Sequence, residues 1–312
     1  MLTADKANTL IVGRGVQGKK RREICGDDFV GFVDPFDTEA EFNTIHQVDL
    51  NAYDRVLGCV PDEPKLDLVR FCMKNRKHLL IEKPLHFPSL DCFDEFGEAS
   101  FDTGTVCYTA YNHRFEPHFI NMKKLIESGS LGKIYRCRIF YGNGTARLVR
   151  NSAWRDYGAG VLPDLGSHLI DTIEFWFNRQ IKHDNWRVIS VNRFENSSPD
   201  HIVIGNETSG FSIELEMSLV MWRNHFTCDV VGELGSAHIE SLCKWGPSKF
   251  IFREREFPSG RPDEEQKVIV RNDPTWMAEY RHFNKIIEEG SGNNLAWDKN
   301  LFEIINTLGE GL

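Results

Sequence analysis

The chain has 312 residues, of which 41% are hydrophobic and 27% charged, enough for two domains of ordinary size, each able to bury its own core without disulfides or metal. A formal net charge of -9 argues against a nucleic-acid backbone as partner, and no apolar run approaches the length of a membrane span. The eight cysteines show no C-x-x-C or paired spacing, and the N-terminus "MLTADKANTL" lacks the hydrophobic core of a secretory signal, so we expect reduced thiols and a cytoplasmic chain.

Short β-rich runs alternate with helix-compatible segments over residues 8–112, the pattern of a parallel sheet covered by helices. The strands are expected at "TLIVG" (9–13), "FVGFVD" (29–34), "DRVLGCV" (54–60), "HLLIEK" (78–83) and "TVCYTAY" (105–111). "KLDLVRFCMKNRK" and "SLDCFDEFGEA" carry helical apolar spacing, the second opening on a capping serine. After 112 the texture changes. A helix over "PHFINMKKLIESG" is followed by long alternating stretches such as "SIELEMSL", which predict a mainly antiparallel sheet with one polar face. Two amphipathic helices, "PTWMAEYRHFNKIIEEG" and "DKNLFEIINTLGEG", close the chain. The expected division is 1–112 and 113–312, with the terminal helices able to pack back on the first domain.

"GRGVQG" matches G-x-G-x-x-G through Gly13, Gly15 and Gly18, with Arg14, Val16 and Gln17 between them. It follows a candidate strand and opens a candidate helix, the context in which glycines admit a pyrophosphate at a helix N-terminus. Asp34 lies about twenty residues further on, where a carboxylate accepts ribose hydroxyls and repels a 2′-phosphate, favouring NAD with NADP as the alternative. Its other reading is a turn residue in "DPFD". "KKRR" at 19–22 reads as a solvated helix face and leaves that helix only Val16, Ile24 and Cys25 for packing.

"EKPL" ends the fourth strand, so Glu82 and Lys83 fall where a doubly wound sheet binds ligands, and Pro84 is able to take a cis bond there. A surface lysine before a loop proline is the plain alternative. In "DLGSHLID" (164–171), Asp164, His168 and Asp171 are spaced to share one face of a single helix, although an aspartate there also serves as a cap. Asp171 has the further option of pairing with a neighbour. No second histidine or cysteine joins these residues at ligand spacing, so no metal is assigned.

In order, the glycine fingerprint, "EKP", "YNHRFEP" (111–117) and "GAGVLPDLGSHLID" (158–171) resemble the Gfo/Idh/MocA oxidoreductases, over nearly the whole chain. The resemblance implies a Rossmann domain followed by an α+β domain on a large open sheet, with bound NAD or NADP. It carries catalytic roles to Lys83, Asp164 and His168, and places Asn112 beside the cofactor and Arg114 beside the substrate. Pro61, Glu82 and Lys83 join the glycines and Asp34 around the dinucleotide. "CVPDEPK" departs from many relatives by placing Lys65 where they have histidine. Trp154 and Arg155 are further substrate-pocket candidates, although a core Trp and a surface Arg are equally open.

The chemistry expected is hydride transfer between a nicotinamide and a secondary alcohol or ketone of a sugar, polyol or nucleotide-sugar. His168 acts as the base, Asp164 orients, and Lys83 stabilises the developing alkoxide. A non-catalytic NAD(P)-binding regulator and a reductase of another carbonyl or imine class stay open as alternatives. The family resemblance also implies a homodimer or homotetramer.

Overall fold

The computed structural model describes residues 7–152, 155–207, 210–290 and 292–312. It divides into two compact units, one running to Asn112 and taking in Trp276–Lys299, the other made of His113–Thr275 and Asn300–Leu312. Among the described residues no helix is long and apolar enough to cross a membrane.

The first unit is built on a five-stranded parallel sheet in the order β2-β1-β3-β4-β5. Its strands are β1 (Thr9–Val12), β2 (Phe29–Val33), β3 (Arg55–Gly58), β4 (His78–Glu82) and β5 (Cys107–Ala110). Leu10, Ile11, Val56, Leu57, Leu79 and Ile81 are wholly buried, as expected of strands covered on both faces. The helices are α1 (Val16–Cys25), α2 (Lys65–Lys74) and α3 (Asp91–Thr103), and Ser89 Oγ accepts from Asp91 N–H at the entry to α3, at 3.0 Å. Chain order reverses between β1 and β3, and ligands of open α/β sheets bind beyond the strand ends at such a reversal.

The second unit carries an eight-stranded sheet in the order β13-β12-β11-β10-β6-β9-β8-β7. The strands are β6 (Ile134–Gly142), β7 (Trp186–Asn192), β8 (His201–Asn206), β9 (Ser212–Ser218), β10 (His225–Gly232), β11 (Gly235–Glu240), β12 (Ser248–Glu254) and β13 (Glu264–Ile269). All neighbours run antiparallel except β6 and β9. The alternation of "SIELEMS" does what it predicts: Ile213, Leu215 and Met217 are buried, while Glu214 and Glu216 on the other face pair with Arg138 at 2.8 and 3.4 Å. β13 is not foreseen in the sequence, because "EEQKVI" opens on four consecutive polar residues and shows no alternation.

Helices α4 (Pro117–Glu127), α5 (Ala146–Arg150) and α6 (Ser167–Phe177) belong to the second unit. Helix α7 (Thr275–Glu288) sends Tyr280, Phe283 and Ile286 into the core cluster of Ile11, Leu57 and Leu80 in the first. The division falls within α8 (Leu295–Gly309), between Lys299 and Asn300.

Candidate functional site

In the first unit the fingerprint is a strand, a tight turn and the start of a helix. Gly13 has φ +94°, and a Cβ there would lie 2.3 Å from the Cys59 carbonyl oxygen; a Cβ on Gly18 would lie 1.9 Å from the Gly13 carbonyl oxygen. Both glycines are therefore demanded by the fold itself. Gly15 is different. It precedes α1 with φ −65°, and an added Cβ would meet nothing within 4 Å. No side chain caps the helix there, and Val16 and Gln17 are exposed, so the first-turn N–H groups face open space.

That space is a depression of about 590 Å³ lined by residues including Arg14, Gly15, Lys19, Asp34 and Phe36. Asp34 follows β2 and accepts from Arg14 N–H at 2.8 Å, Phe36 N–H at 2.9 Å and Asp37 N–H at 3.1 Å. It is thus a turn-forming carboxylate and also a wall of the depression.

The "KKRR" run corrects the expectation of a uniformly solvated face. Lys19 and Lys20 are exposed, but Arg21 is 1% exposed. Its Nε and Nη2 donate to Glu82 Oε1 at 3.1 and 2.7 Å, its Nη1 donates to Glu279 Oε2 at 2.7 Å, and the Trp276 ring lies 4.5 Å from Cζ. Burial alone would lower the guanidinium pKa, yet the two carboxylates hold it above its ordinary value. Val16, expected to help pack α1, is instead 72% exposed, so the buried ion pair joins Ile24 and Cys25 in seating the helix.

The same device anchors "EKP" from the other side. Lys65, 2% exposed, donates from Nζ to Asp62 at 2.7 Å and to the Pro84 carbonyl oxygen at 2.6 Å. Burial lowers its pKa, the Asp62 carboxylate raises it, and the charge of Lys83 adds to the lowering. The Lys83–Pro84 bond is cis. Lys83 is half-buried, Pro61 is exposed just beyond β3, and Asn112 is 8% exposed in a short turn after β5.

In the second unit "DLGSHLID" does not form one uninterrupted helix. Leu162–Gly166 is a π-turn, α6 begins at Ser167, and Asp164 caps neither element. The three polar residues consequently diverge. Asp164 stays partly exposed and lies 3.4 Å from Arg155 Nη2. His168 is 9% exposed and stacks on His113, with centroids 4.1 Å apart and planes at 21°. Asp171, 2% exposed, takes Arg114 Nε at 3.0 Å on both carboxylate oxygens. Burial raises the Asp171 pKa, and the guanidinium opposes that rise.

Tyr141 packs beside the histidine pair. Its ring lies 6.1 Å from His168 and 5.4 Å from His113, and burial foremost, then the charges of Asp164 and Glu116, raises its hydroxyl pKa. Burial also raises Glu116, which accepts weakly from Cys243 N–H at 3.4 Å. His113, Glu116 and Tyr141 are absent from the residues singled out in sequence. "NHRFE" holds two of them, but neither has a spacing that announces a site. Trp154 lies outside the described residues. Among those residues no group of three His, Cys, Asp or Glu side chains is arranged to hold a metal.

A doubly wound parallel-sheet unit followed in the chain by a large mixed-sheet unit is the class of fold this architecture defines. Residues 119–238 match the model of the GFO/IDH/MocA C-terminal domain. The chain is 22% identical to inositol 2-dehydrogenase 1 of Saccharopolyspora erythraea, over 75% of this chain and 66% of that protein. It is 28% identical to the NADP(+) scyllo-inositol 2-dehydrogenase IolW of Bacillus subtilis, over 37% of this chain and 32% of that one. The alignments thus span less than two thirds of these relatives. The fold is also that of levoglucosan dehydrogenase solved with NADH, at a TM-score of 0.81 and 17% identity, covering 97% of this chain and 96% of that one. Residues 119–238 thus carry the likeness to the GFO/IDH/MocA C-terminal domain, and the fold of the whole chain is the one its solved structural neighbour shares.

Proposed function

We propose that the protein is an NAD(P)-dependent dehydrogenase acting on a secondary alcohol, or the corresponding ketone, of a sugar, polyol or nucleotide-sugar. The observation that carries this reading is Gly15: two fingerprint glycines are required by the protein's own backbone, whereas this one keeps a cradle open at a helix N-terminus. Gly13, Gly15, Val16, Gln17 and Gly18 hold the pyrophosphate, Asp34 holds the adenosine ribose, and Pro61, Glu82, Lys83 and Asn112 line the rest of the dinucleotide site. Asp34 favours NAD over NADP. The substrate class is suggested by relatives named for inositol and levoglucosan.

The bound nicotinamide supplies the hydride acceptor or donor. His168 takes or returns the hydroxyl proton, a role suited to an imidazole whose ordinary pKa lies near neutrality. Asp164 and Arg155 contact substrate hydroxyls, and Lys83 places positive charge where an alkoxide develops. Arg114 is committed to Asp171, so its part is to fix α6 beneath His168 rather than to reach substrate. Assembly as a homodimer or homotetramer is part of the same proposal, measured by light scattering of the purified chain.

The test is a screen of polyols, sugars and nucleotide-sugars for reduction of NAD+ and NADP+, repeated with Lys83→Ala and His168→Ala. We expect turnover on at least one alcohol and its loss in both variants, with nucleotide binding retained in His168→Ala. Turnover that survives both substitutions rejects this site.

A further inference from the structure

We propose that Asp37 and Glu39 set the nucleotide preference of the Gly15 depression by clamping Arg14, keeping its guanidinium from the 2′-phosphate of the phosphorylated dinucleotide. This rests on the dinucleotide reading above and assigns its specificity to residues other than Asp34.

Arg14 lies between the first two fingerprint glycines, and its N–H donates to Asp34 Oδ2 at 2.8 Å. Its side chain therefore leaves the backbone beside the carboxylate that faces the adenosine ribose. Left to itself, a guanidinium here would be a good reader of phosphate, because its fork matches two phosphate oxygens. It is not left to itself. Nη1 lies 2.6 Å from Asp37 Oδ2 and Nη2 lies 2.6 Å from Glu39 Oε2, while Cζ sits 5.5 Å from the centre of the Phe32 ring.

The clamp is built into a loop that closes on itself. Asp34 Oδ1 accepts from Phe36 and Asp37 N–H, and Asp37 Oδ1 accepts from Glu39 N–H at 3.0 Å. Asp37 thus uses one oxygen to shape the loop and the other to hold Arg14. The carboxylates of Asp37 and Glu39 hold this guanidinium, and those of Asp34 and Asp37 line the depression. A ribose diol brings no charge to that wall and is able to donate to it, whereas a 2′-phosphate brings about two negative charges. Lys19 also lines the depression, but it is a single exposed lysine against the carboxylates of Asp34 and Asp37.

The experiment is equilibrium titration of the full chain with NAD+ and with NADP+, followed by tryptophan fluorescence or calorimetry. The variants are Asp37→Asn/Glu39→Gln and the same pair combined with Arg14→Ala. The amides preserve the loop acceptors while removing the charges. We expect the wild type to prefer NAD+, the double variant to gain about tenfold or more in NADP+ affinity with NAD+ affinity changed by less than about threefold, and the triple variant to lose that gain. The gain should also shrink as salt is raised. An unchanged NADP+ affinity in the double variant, or a gain that persists without Arg14, overturns the clamp. Equal binding of both nucleotides by the wild type overturns it too, while leaving the dinucleotide site standing. Binding of neither nucleotide removes the dinucleotide reading and the clamp with it.

Discussion

Arg21 and Glu82, sixty-one residues apart, meet through two hydrogen bonds to one carboxylate oxygen, at 3.1 and 2.7 Å. The pair fixes the end of β4 from inside the first helix, and Glu279 completes it from α7. Buried charges of this kind contribute little net stability when intact, but they are costly to break by halves. Arg21→Met should therefore destabilise the protein by roughly 3–5 kcal/mol in denaturant unfolding, because Glu82 and Glu279 lose their shared cation. Combining it with Glu279→Gln should recover part of the loss, and no recovery would argue against the ion pair as the cause.

The fingerprint glycines should separate cleanly by their consequences. Gly13→Ala forces a side chain onto the Cys59 carbonyl in a left-handed backbone and should cost more than about 1–3 kcal/mol. Gly15→Ala meets nothing in the protein, so its cost should stay within about 1 kcal/mol, while nucleotide affinity falls about tenfold or more. Melting and titration of the two variants check this, and undiminished affinity in Gly15→Ala would remove the argument for the cradle.

Glu174 supplies a pH dependence whose sign is fixed. Burial foremost, and then the Asp171 charge, push its carboxyl up to about 8 from an ordinary 4.5. The native state thus holds a proton that the unfolded chain releases near pH 4.5. The stability it contributes is fully present below that range and is lost as pH rises through about 8. Glu174→Gln keeps the oxygen that accepts from Asn300 Nδ2 at 2.5 Å and has no proton to lose. Unfolding free energy between pH 5 and 9 should therefore fall less in the variant than in the wild type, by on the order of a few kcal/mol. Parallel curves would refute the assignment.

Lys65 should behave as a strut for the "EKP" turn. Lys65→Met leaves the Pro84 carbonyl without the donor that Nζ supplies at 2.6 Å, an expected loss of about 1–3 kcal/mol. Asp62 is mostly exposed and returns to water without strain. Lys65→Gln, still able to donate, should lose less, and thermal melting of the two variants against the wild type makes the comparison.

Much of this protein was legible before any fold was known. The β-α alternation, the change of texture at 112, the glycine turn and the inward Ile213, Leu215 and Met217 all follow from short-range periodicity and local backbone demand, which a linear sequence carries in full. What only the tertiary structure decided are the partners of charged groups. Arg21 in a basic run, Lys65 beside a proline and Asp171 in a helix have nothing local to distinguish them from solvated residues. Arg114 reaches Asp171 across 57 positions of chain, and His113 stacks on His168 only once α6 starts after a π-turn. A buried charge is stable only where a partner folds onto it, and the position of that partner is a property of the packed chain rather than of its neighbours in sequence.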